Sequence, residues 1–131
     1  MEYQTGSGQL PEIIYVEGAL HSLCTAPLAP WLRDQKPPCV FDRRSSNCER
    51  GYVGKWAIED GQLWLIGIYG WRDGKFSSIA KLFDGSRKVA ADWFTGPLII
   101  EPTTESVRGG EYPKPSILNV EAGQVVQAPV N

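Results

Sequence analysis

The sequence predicts a mainly β fold: an antiparallel sandwich, or a rolled and barrel-like sheet, of about seven or eight short strands with one short helix. Short runs rich in β-branched and aromatic residues recur along the chain, with glycine, proline, asparagine or aspartate between them. Two of the longest runs flank Asp60-Gly61, which is the strongest short-range hairpin signal. Helical spacing occurs once, at about 77–83, so a parallel sheet with a dinucleotide crevice is not expected.

The stretch 50–70 is predicted to form the central hairpin, with Asp60-Gly61 as its whole turn. An unbroken register puts apolar side chains of both strands on one face, and a slip of one residue breaks that match. Trp56 is therefore expected in the core. The inward pairs that this register predicts are Ile58 with Leu63, Trp56 with Leu65, Gly54 with Gly67 and Tyr52 with Tyr69.

The first 41 residues contain fewer regular elements. Residues 11–16 are predicted to form a strand because they are β-branched and aromatic, and 18–24 a strand or a single helical turn. Four prolines within 25–38 forbid a long regular element there, and Trp31 is expected to pin this segment to the core. Residues 39–41 are a brief strand candidate.

The single helix is predicted at about 77–83, where apolar residues recur at i, i+3, i+4 and i+7. Either Ser77 or Ser78 is available as its N-cap, and Gly85 follows the last turn. The periodic residues are Phe76, Ile79, Ala80 and Phe83. A helix this short must depend on packing for its stability.

The remaining strands are predicted after the helix. Residues 88–94 and 98–101 form two strand candidates, and 102–115 are predicted to be a loop. A last small hairpin is expected from 117–120 and 124–127, which flank an Ala-Gly turn.

Composition and charge limit the function classes. The chain has 131 residues, 42% hydrophobic and 21% charged, which is typical of one globular domain, predicted at 10–127 between a flexible end at 1–9 and a tail at 128–131. A net charge of -2 and a pI near 5.4 favour neither nucleic acid nor an anionic membrane as a partner. No apolar run approaches the roughly 18 residues of a membrane span, and the first residues lack the pattern of a secretory signal. We therefore expect a cytoplasmic protein with no membrane or nucleic-acid partner.

Residues that commonly carry catalysis are scarce. None of the common nucleophile, phosphate-binding, zinc-protease or dinucleotide motifs occurs. The three cysteines, Cys24, Cys39 and Cys48, are widely spaced and odd in number. Reduced, structural thiols are therefore expected rather than a disulfide or a metal site, and no cofactor is expected.

An enzyme is the last of three functional hypotheses. It would use Asp92, His21 and Arg50, with Cys24 close to His21 in sequence. Such residues act together only if they meet within hydrogen-bond reach in one cleft. A structural role is the simpler interpretation of a single histidine.

Gly54 opposite Gly67 would leave a gap in the hairpin, and the gap has two interpretations. Either an aromatic ring lies over the bare backbone, or a small ligand enters. Arg50 would be a polar anchor for that ligand, or would form a structural ion pair with a carboxylate such as Asp92. The candidate ligand-binding residues are Tyr52, Trp56, Tyr69, Trp93, Arg50 and Asp92.

The opposite face of the hairpin is mixed in polarity. Lys55 and Glu59 favour water there, whereas the side chains of the second strand do not. Either a second layer covers this face, or it contacts a protein partner or a second copy of the chain. The candidate residues of this partner surface are Trp64, Ile66, Ile68 and Trp71.

Two segments, RGYVGKWAIEDGQLWLIGI at 50–68 and KVAADWFTGPLII at 88–100, resemble an uncharacterised group of small bacterial proteins. That group is marked by an RGYxxxWxIxxxxLxL strand pair and an AxWFxGxL segment. The resemblance covers about half of the chain, 45–101, and implies one β-rich domain of bacterial accessory or mobile-gene origin. It implies no activity, cofactor or partner. The matching positions are Arg50, Gly51, Tyr52, Trp56, Ile58, Leu63, Leu65, Ala91, Trp93, Phe94, Gly96 and Leu98.

These observations favour a non-catalytic small binding or interaction protein. A protein that binds a small ligand at the glycine gap is the alternative, and a small enzyme is the third hypothesis.

Overall fold

The computed structural model describes residues 10–44, 46–101 and 116–126. Within these ranges it contains nine strands and two short helices, so the predicted mainly β class is confirmed. The strands are β1 (Glu12–Val16), β2 (Ala19–Leu23), β3 (Tyr52–Glu59), β4 (Gln62–Arg72), β5 (Lys75–Phe76), β6 (Val89–Ala90), β7 (Gly96–Ile100), β8 (Ser116–Glu121) and β9 (Gln124–Val126). The helices are α1 (Ala29–Arg33) and α2 (Ile79–Leu82).

Seven of these strands close into a barrel. Of the two predicted architectures, the rolled, barrel-like sheet is therefore confirmed and the sandwich is not. The order around the barrel is β3-β1-β2-β7-β8-β9-β4, and pairing of β4 with β3 completes the ring. The pairs are antiparallel, as predicted, except that β1 and β3 run parallel. A parallel pair needs a long connection, which residues 17–51 supply. Strands β5 and β6 add to β4 outside the ring.

The central hairpin begins in the predicted register. Both turn residues have positive φ, 51° at Asp60 and 75° at Gly61, as a type I′ turn requires. The pairs Glu59 with Gln62, Ile58 with Leu63 and Trp56 with Leu65 are confirmed. The turn chemistry therefore sets this end of the ladder.

A β-bulge then changes the register, and the prediction beyond it is wrong. Trp56 pairs with Leu65 but Lys55 pairs with Gly67, so Ile66 is an extra residue in β4. Beyond this point Gly54 faces Ile68 instead of Gly67. Likewise Tyr52 faces Gly70 and Val53 faces Tyr69. Because strand side chains alternate, the bulge turns Ile68 into the core and Tyr69 out to solvent.

The barrel interior is filled by side chains rather than left open. Trp56 is completely buried in this core, as predicted. Aliphatic residues from five other strands surround it and exclude water. Those that are fully buried are Ile14, Leu23, Leu63, Leu65 and Leu98, with Ile100 and Val120 nearly so.

Two short helices lie beside the barrel. Helix α2 is confirmed within the predicted range, and the Ser78 hydroxyl accepts a hydrogen bond from Lys81 N at 3.4 Å, as an N-cap does. Helix α1 is not predicted from the sequence, because one proline lies within it and three more lie nearby. Pro30 is tolerated there since it occupies the first turn, where its missing N–H is not needed. Trp31 of α1 is pinned by Phe83, with ring centroids 4.5 Å apart.

Two further strand predictions differ from the structure, and three predictions lie outside the described residues. Residues 39–41 form no strand, and only Val89–Ala90 of 88–94 is a strand, because the chain then turns at Asp92. The predicted flexible end at 1–9, the loop at 102–115 and the tail at 128–131 lie outside the described residues. No helix within the described ranges has the length and hydrophobicity that crossing a bilayer requires.

Candidate functional site

A charged side chain, Glu12, lies inside the barrel, and its residue is only 2% exposed. Its Oε2 accepts hydrogen bonds from Gly54 N at 2.8 Å and from Arg50 Nε at 3.0 Å. Its Oε1 accepts one from the indole Nε1 of Trp56 at 3.0 Å. Both carboxylate oxygens are thus engaged by the protein itself, which is the usual condition for burying a charge.

Gly54 makes room for this carboxylate. A Cβ at position 54 would overlap Glu12 Oε1 and would lie 2.8 Å from Trp56 Nε1. The predicted gap between two glycines is therefore wrong on two counts: the glycines do not face each other, and the space at Gly54 is filled. The small-ligand hypothesis loses its site there.

Burial sets the electrostatics of Glu12. Desolvation raises the pKa of this carboxyl above its ordinary value, while the charge of Arg50 and the hydrogen bonds from Gly54 and Trp56 oppose the rise. The Arg50 Nη2 lies 2.9 Å from Oε2 but, although buried, makes no hydrogen bond. The neighbouring Tyr52 hydroxyl also has a raised pKa, because it is buried close to the Glu12 charge. This network links β1 to β3 inside the barrel, which indicates a structural role.

Sequence reasoning missed Glu12, although a signal was present. Glu12 and Ile14 are two residues apart in one strand, so they point to the same face. An inward Ile14 therefore implies an inward carboxylate, which must find a partner. Arg50 is that partner, with a side chain that is 23% exposed. The predicted structural ion pair of Arg50 is thus confirmed, but its carboxylate is Glu12 and not Asp92.

The predicted ligand-binding residues do not form one site. Tyr52, Trp56 and Arg50 meet around Glu12, and the Arg50 guanidinium lies 5.6 Å from the Tyr52 ring centroid. Trp93 belongs to another cluster, where it stacks on Phe83 and its Nε1 donates to Pro27 O at 2.7 Å. Asp92 is exposed in a turn, and Tyr69 is on the outer surface.

The residues proposed for catalysis do not all meet: His21 and Cys24 both contact Glu101, whereas Arg50 and Asp92 do not join them. His21 Nδ1 lies 3.0 Å from the backbone oxygen of Glu101, and Cys24 Sγ lies 3.5 Å from the Glu101 carboxylate. Arg50 is held by Glu12 and Asp92 faces solvent. Across the described ranges, no group of three or more His, Cys, Asp or Glu side chains is arranged to hold a metal ion.

Among the described residues, the most exposed concentration of aromatic rings is the outer aromatic cluster, which consists of Tyr69, Trp71 and Phe76. Tyr69 is 61% exposed and Phe76 is 40% exposed. The ring centroids are 5.0 Å apart for Tyr69 and Trp71, 5.6 Å for Tyr69 and Phe76, and 5.4 Å for Trp71 and Phe76. All three pairs meet edge to face, a favourable arrangement that holds the rings in a fixed relation.

The backbone beneath the outer aromatic cluster is firmly held. Asp42 accepts hydrogen bonds from Asp73 N at 3.0 Å and Gly74 N at 2.8 Å, which ties down the β4–β5 turn. Its own N–H donates to Trp71 O at 2.7 Å. Arg44 extends its guanidinium over the Trp71 ring, 4.5 Å from the centroid. A positive charge therefore borders the cluster.

The four residues predicted for a partner surface have different environments. Ile68 is buried in the core and cannot contact a partner. Trp64 is half-buried beneath Lys88, whose Nζ lies 4.5 Å from the indole centroid. Ile66 is half-buried at the bulge. Trp71 alone belongs to the outer aromatic cluster, which Tyr69 joins because the bulge reverses its face.

Comparisons with known proteins add no relative: no family model, no curated protein and no solved structure matches this chain. The resemblance to an uncharacterised bacterial group therefore stays a prediction, and the function rests on the geometry of the chain itself.

Proposed function

We propose that this is a non-catalytic binding protein that docks a protein partner through the outer aromatic cluster. The observation that carries the proposal is the exposure of Tyr69 and Phe76 on the outer face of the sheet, whereas the described rings outside this cluster are all buried or half-buried. Aromatic side chains at the centre of an interface contribute most of its binding energy, and a fixed geometry reduces the entropy lost on binding.

The chemistry around the outer aromatic cluster indicates the kind of partner. Arg44 lies over Trp71, and Lys55 is on the same outer face of the sheet, opposite Gly67. These cations favour a partner that presents carboxylates around an apolar centre. The partner proposed here is therefore an apolar protein surface with an acidic rim.

The angles between the rings favour a protein over stacked bases. The three ring pairs have interplanar angles of 84°, 63° and 74°. Bases stack on flat, exposed ring faces, which a set of perpendicular rings does not supply as a continuous platform. Side chains of a protein fit between perpendicular rings more readily.

The proposed setting is the bacterial cytoplasm, in an accessory or mobile-gene context. Free thiols at Cys39 and Cys48 support a reducing compartment. The bacterial origin is supported by the resemblance of segments 50–68 and 88–100 alone.

Site-specific photocrosslinking in the native cells tests this function. A photoreactive phenylalanine analogue at position 69 should give a discrete crosslinked adduct, whereas the same residue in place of the equally exposed Ile117 should not. Trp71→Ser should weaken the adduct formed from position 69. Light scattering of the purified chain then tells whether the partner is a second copy. Equal labelling at positions 69 and 117 would contradict the proposal.

A further inference from the structure

A groove of about 520 Å³ opens beside the β4–β5 turn, away from the outer aromatic cluster. Arg72 and Asp73 form one wall, and the segment 35–40 forms another. Arg72 points away from Trp71, since successive side chains of a strand alternate between faces. The volume lies in the range typical of small-molecule sites.

The charges that line this groove are unbalanced. Lys36, Arg72 and Lys81 contribute three cations, against the single carboxylate of Asp73. Lys81 Nζ donates one hydrogen bond, to Phe76 O at 3.0 Å, and has further donors. Among the described residues, the Arg72 guanidinium has no hydrogen-bonding or ion-pair partner. The groove therefore presents an excess of positive charge and of hydrogen-bond donors.

A thiol in the groove does not compensate for this charge. Burial raises the pKa of Cys39 above the ordinary value of a thiol, and the charge of Arg72 only partly opposes the rise. Cys39 is therefore a neutral thiol at neutral pH, and it leaves the Arg72 charge available. The backbone of Cys39 is fixed by a hydrogen bond to Leu32 O at 3.0 Å.

Apart from Gln35, the rest of the lining is apolar. Trp31 and Leu82 both contribute to the groove, and Trp31 is held in place by its contact with Phe83. An indole beside a guanidinium suits a molecule that has a planar or apolar body and an anionic head group.

We propose that this groove binds a small organic anion, a carboxylate or phosphate carried on an apolar body, with Arg72 holding the head group and Trp31 contacting the body. The site goes beyond the proposed protein partner and does not depend on it, because it uses the other face of the β4–β5 ribbon. It also differs from the glycine gap that the sequence suggested.

Titration by nitrogen–proton correlation NMR tests the groove, with phenyl phosphate and benzoate as probes and benzyl alcohol as the neutral comparison. Either anion should give saturable shifts at the amides of Cys39, Arg72 and Lys81. Arg72→Gln should weaken binding by about tenfold or more, because a charge-assisted, forked hydrogen bond is lost. Arg87→Gln removes an equal but exposed charge outside the lining, so it should change affinity by no more than about twofold.

Other outcomes would overturn the proposal. Equal affinity in the Arg72→Gln and Arg87→Gln variants would indicate general charge attraction, and equal binding of benzyl alcohol would indicate that the cations contribute nothing. Inorganic phosphate binding as tightly as phenyl phosphate would remove the role of Trp31. If Arg72→Gln fails to fold, Lys36→Gln, at an exposed position, provides the same comparison.

The Cys39 thiol supplies an independent readout. Alkylation by iodoacetamide, followed by peptide mass mapping, should be slowed at Cys39 by phenyl phosphate in the wild type but not in Arg72→Gln. If phenyl phosphate slows alkylation of Cys39 equally in the wild type and in Arg72→Gln, the proposed site is contradicted.

Discussion

Arg50 and Glu12 are 38 residues apart in sequence, yet the guanidinium Nε donates to the carboxylate Oε2 at 3.0 Å inside the barrel wall. Glu12 belongs to β1 and Arg50 lies just before β3, so this contact ties together the two strands that run parallel. Substituting either Arg50 or Glu12 removes one charge of this buried pair, and the two substitutions have different expected results.

Removing Arg50 should destabilise the fold strongly at neutral pH. In Arg50→Gln the Glu12 carboxylate stays buried without a countercharge, and breaking a buried pair in this way costs about 3 kcal/mol or more. Urea unfolding of the variant measures the loss. The exposed Arg87→Gln is the matched control and should stay within about 0.5 kcal/mol of the wild type. Equal stability of the two variants would mean that the contact with Glu12 contributes nothing.

The raised pKa of Glu12 predicts a pH dependence of definite sign. Between the ordinary pKa of a carboxyl and the raised value in the folded chain, the folded state binds more protons than the unfolded state. The contribution of Glu12 to the free energy of unfolding is therefore fully present at low pH and is lost as the pH rises through this window. We expect the unfolding free energy of the wild type, minus that of Glu12→Gln, to fall with rising pH and then level off. A difference that grows with pH would mean that Arg50 and the N–H donors outweigh burial.

Two glycines of the same hairpin should respond to an added methyl group by different amounts. Gly54→Ala pushes a Cβ into Glu12 and Trp56, and overpacking of this kind costs about 1–3 kcal/mol. In Gly67→Ala the new Cβ lies 3.3 Å from Lys55 Cβ on the outer face, so the change should stay within about 1 kcal/mol, since alanine also restricts the unfolded chain. Denaturation midpoints of the two variants, each compared with that of the wild type, measure the two changes in stability. Similar losses at both positions would contradict the difference between the filled space at Gly54 and the outer face at Gly67.

Part of this hairpin, and the start of helix α2, could be predicted from the sequence. Local signals were sufficient for the hairpin turn at Asp60-Gly61, for the Ser78 cap of α2 and for the burial of Trp56. Each depends on neighbouring residues only. The bulge has no comparable signal, because Ile66 is apolar and suits either face of a strand.

Features that join distant segments could not be predicted in the same way. The parallel pairing of β1 with β3 closes the barrel, but it depends on the whole connection between them. The partner of Arg50 depends on that pairing, which is why the sequence suggests Asp92 rather than Glu12. The groove beside Arg72 likewise depends on where a proline-rich segment settles against β4.

The bulge itself can be tested by deletion. Without Ile66, Leu65 would be followed directly by Gly67, and the remaining residues would keep their present partners in an unbroken ladder. Ile68 would still face the core and Tyr69 would still face solvent. The variant should therefore fold, at a cost of about 1 kcal/mol for the lost half-buried side chain.

Deleting Ile68 instead is the matched comparison. That change removes a buried aliphatic side chain from the core, so it should cost about 2–5 kcal/mol. Urea unfolding gives the two costs, and a cross-strand nuclear Overhauser contact between Gly54 and Ile68 reports the register in the Ile66 deletion. The Ile66→Ala variant separates the side-chain contribution from that of the extra backbone unit. If the Ile66 deletion is as damaging as the Ile68 deletion, the extra residue is needed for the strong local twist that closes the barrel, rather than being a tolerated insertion in β4.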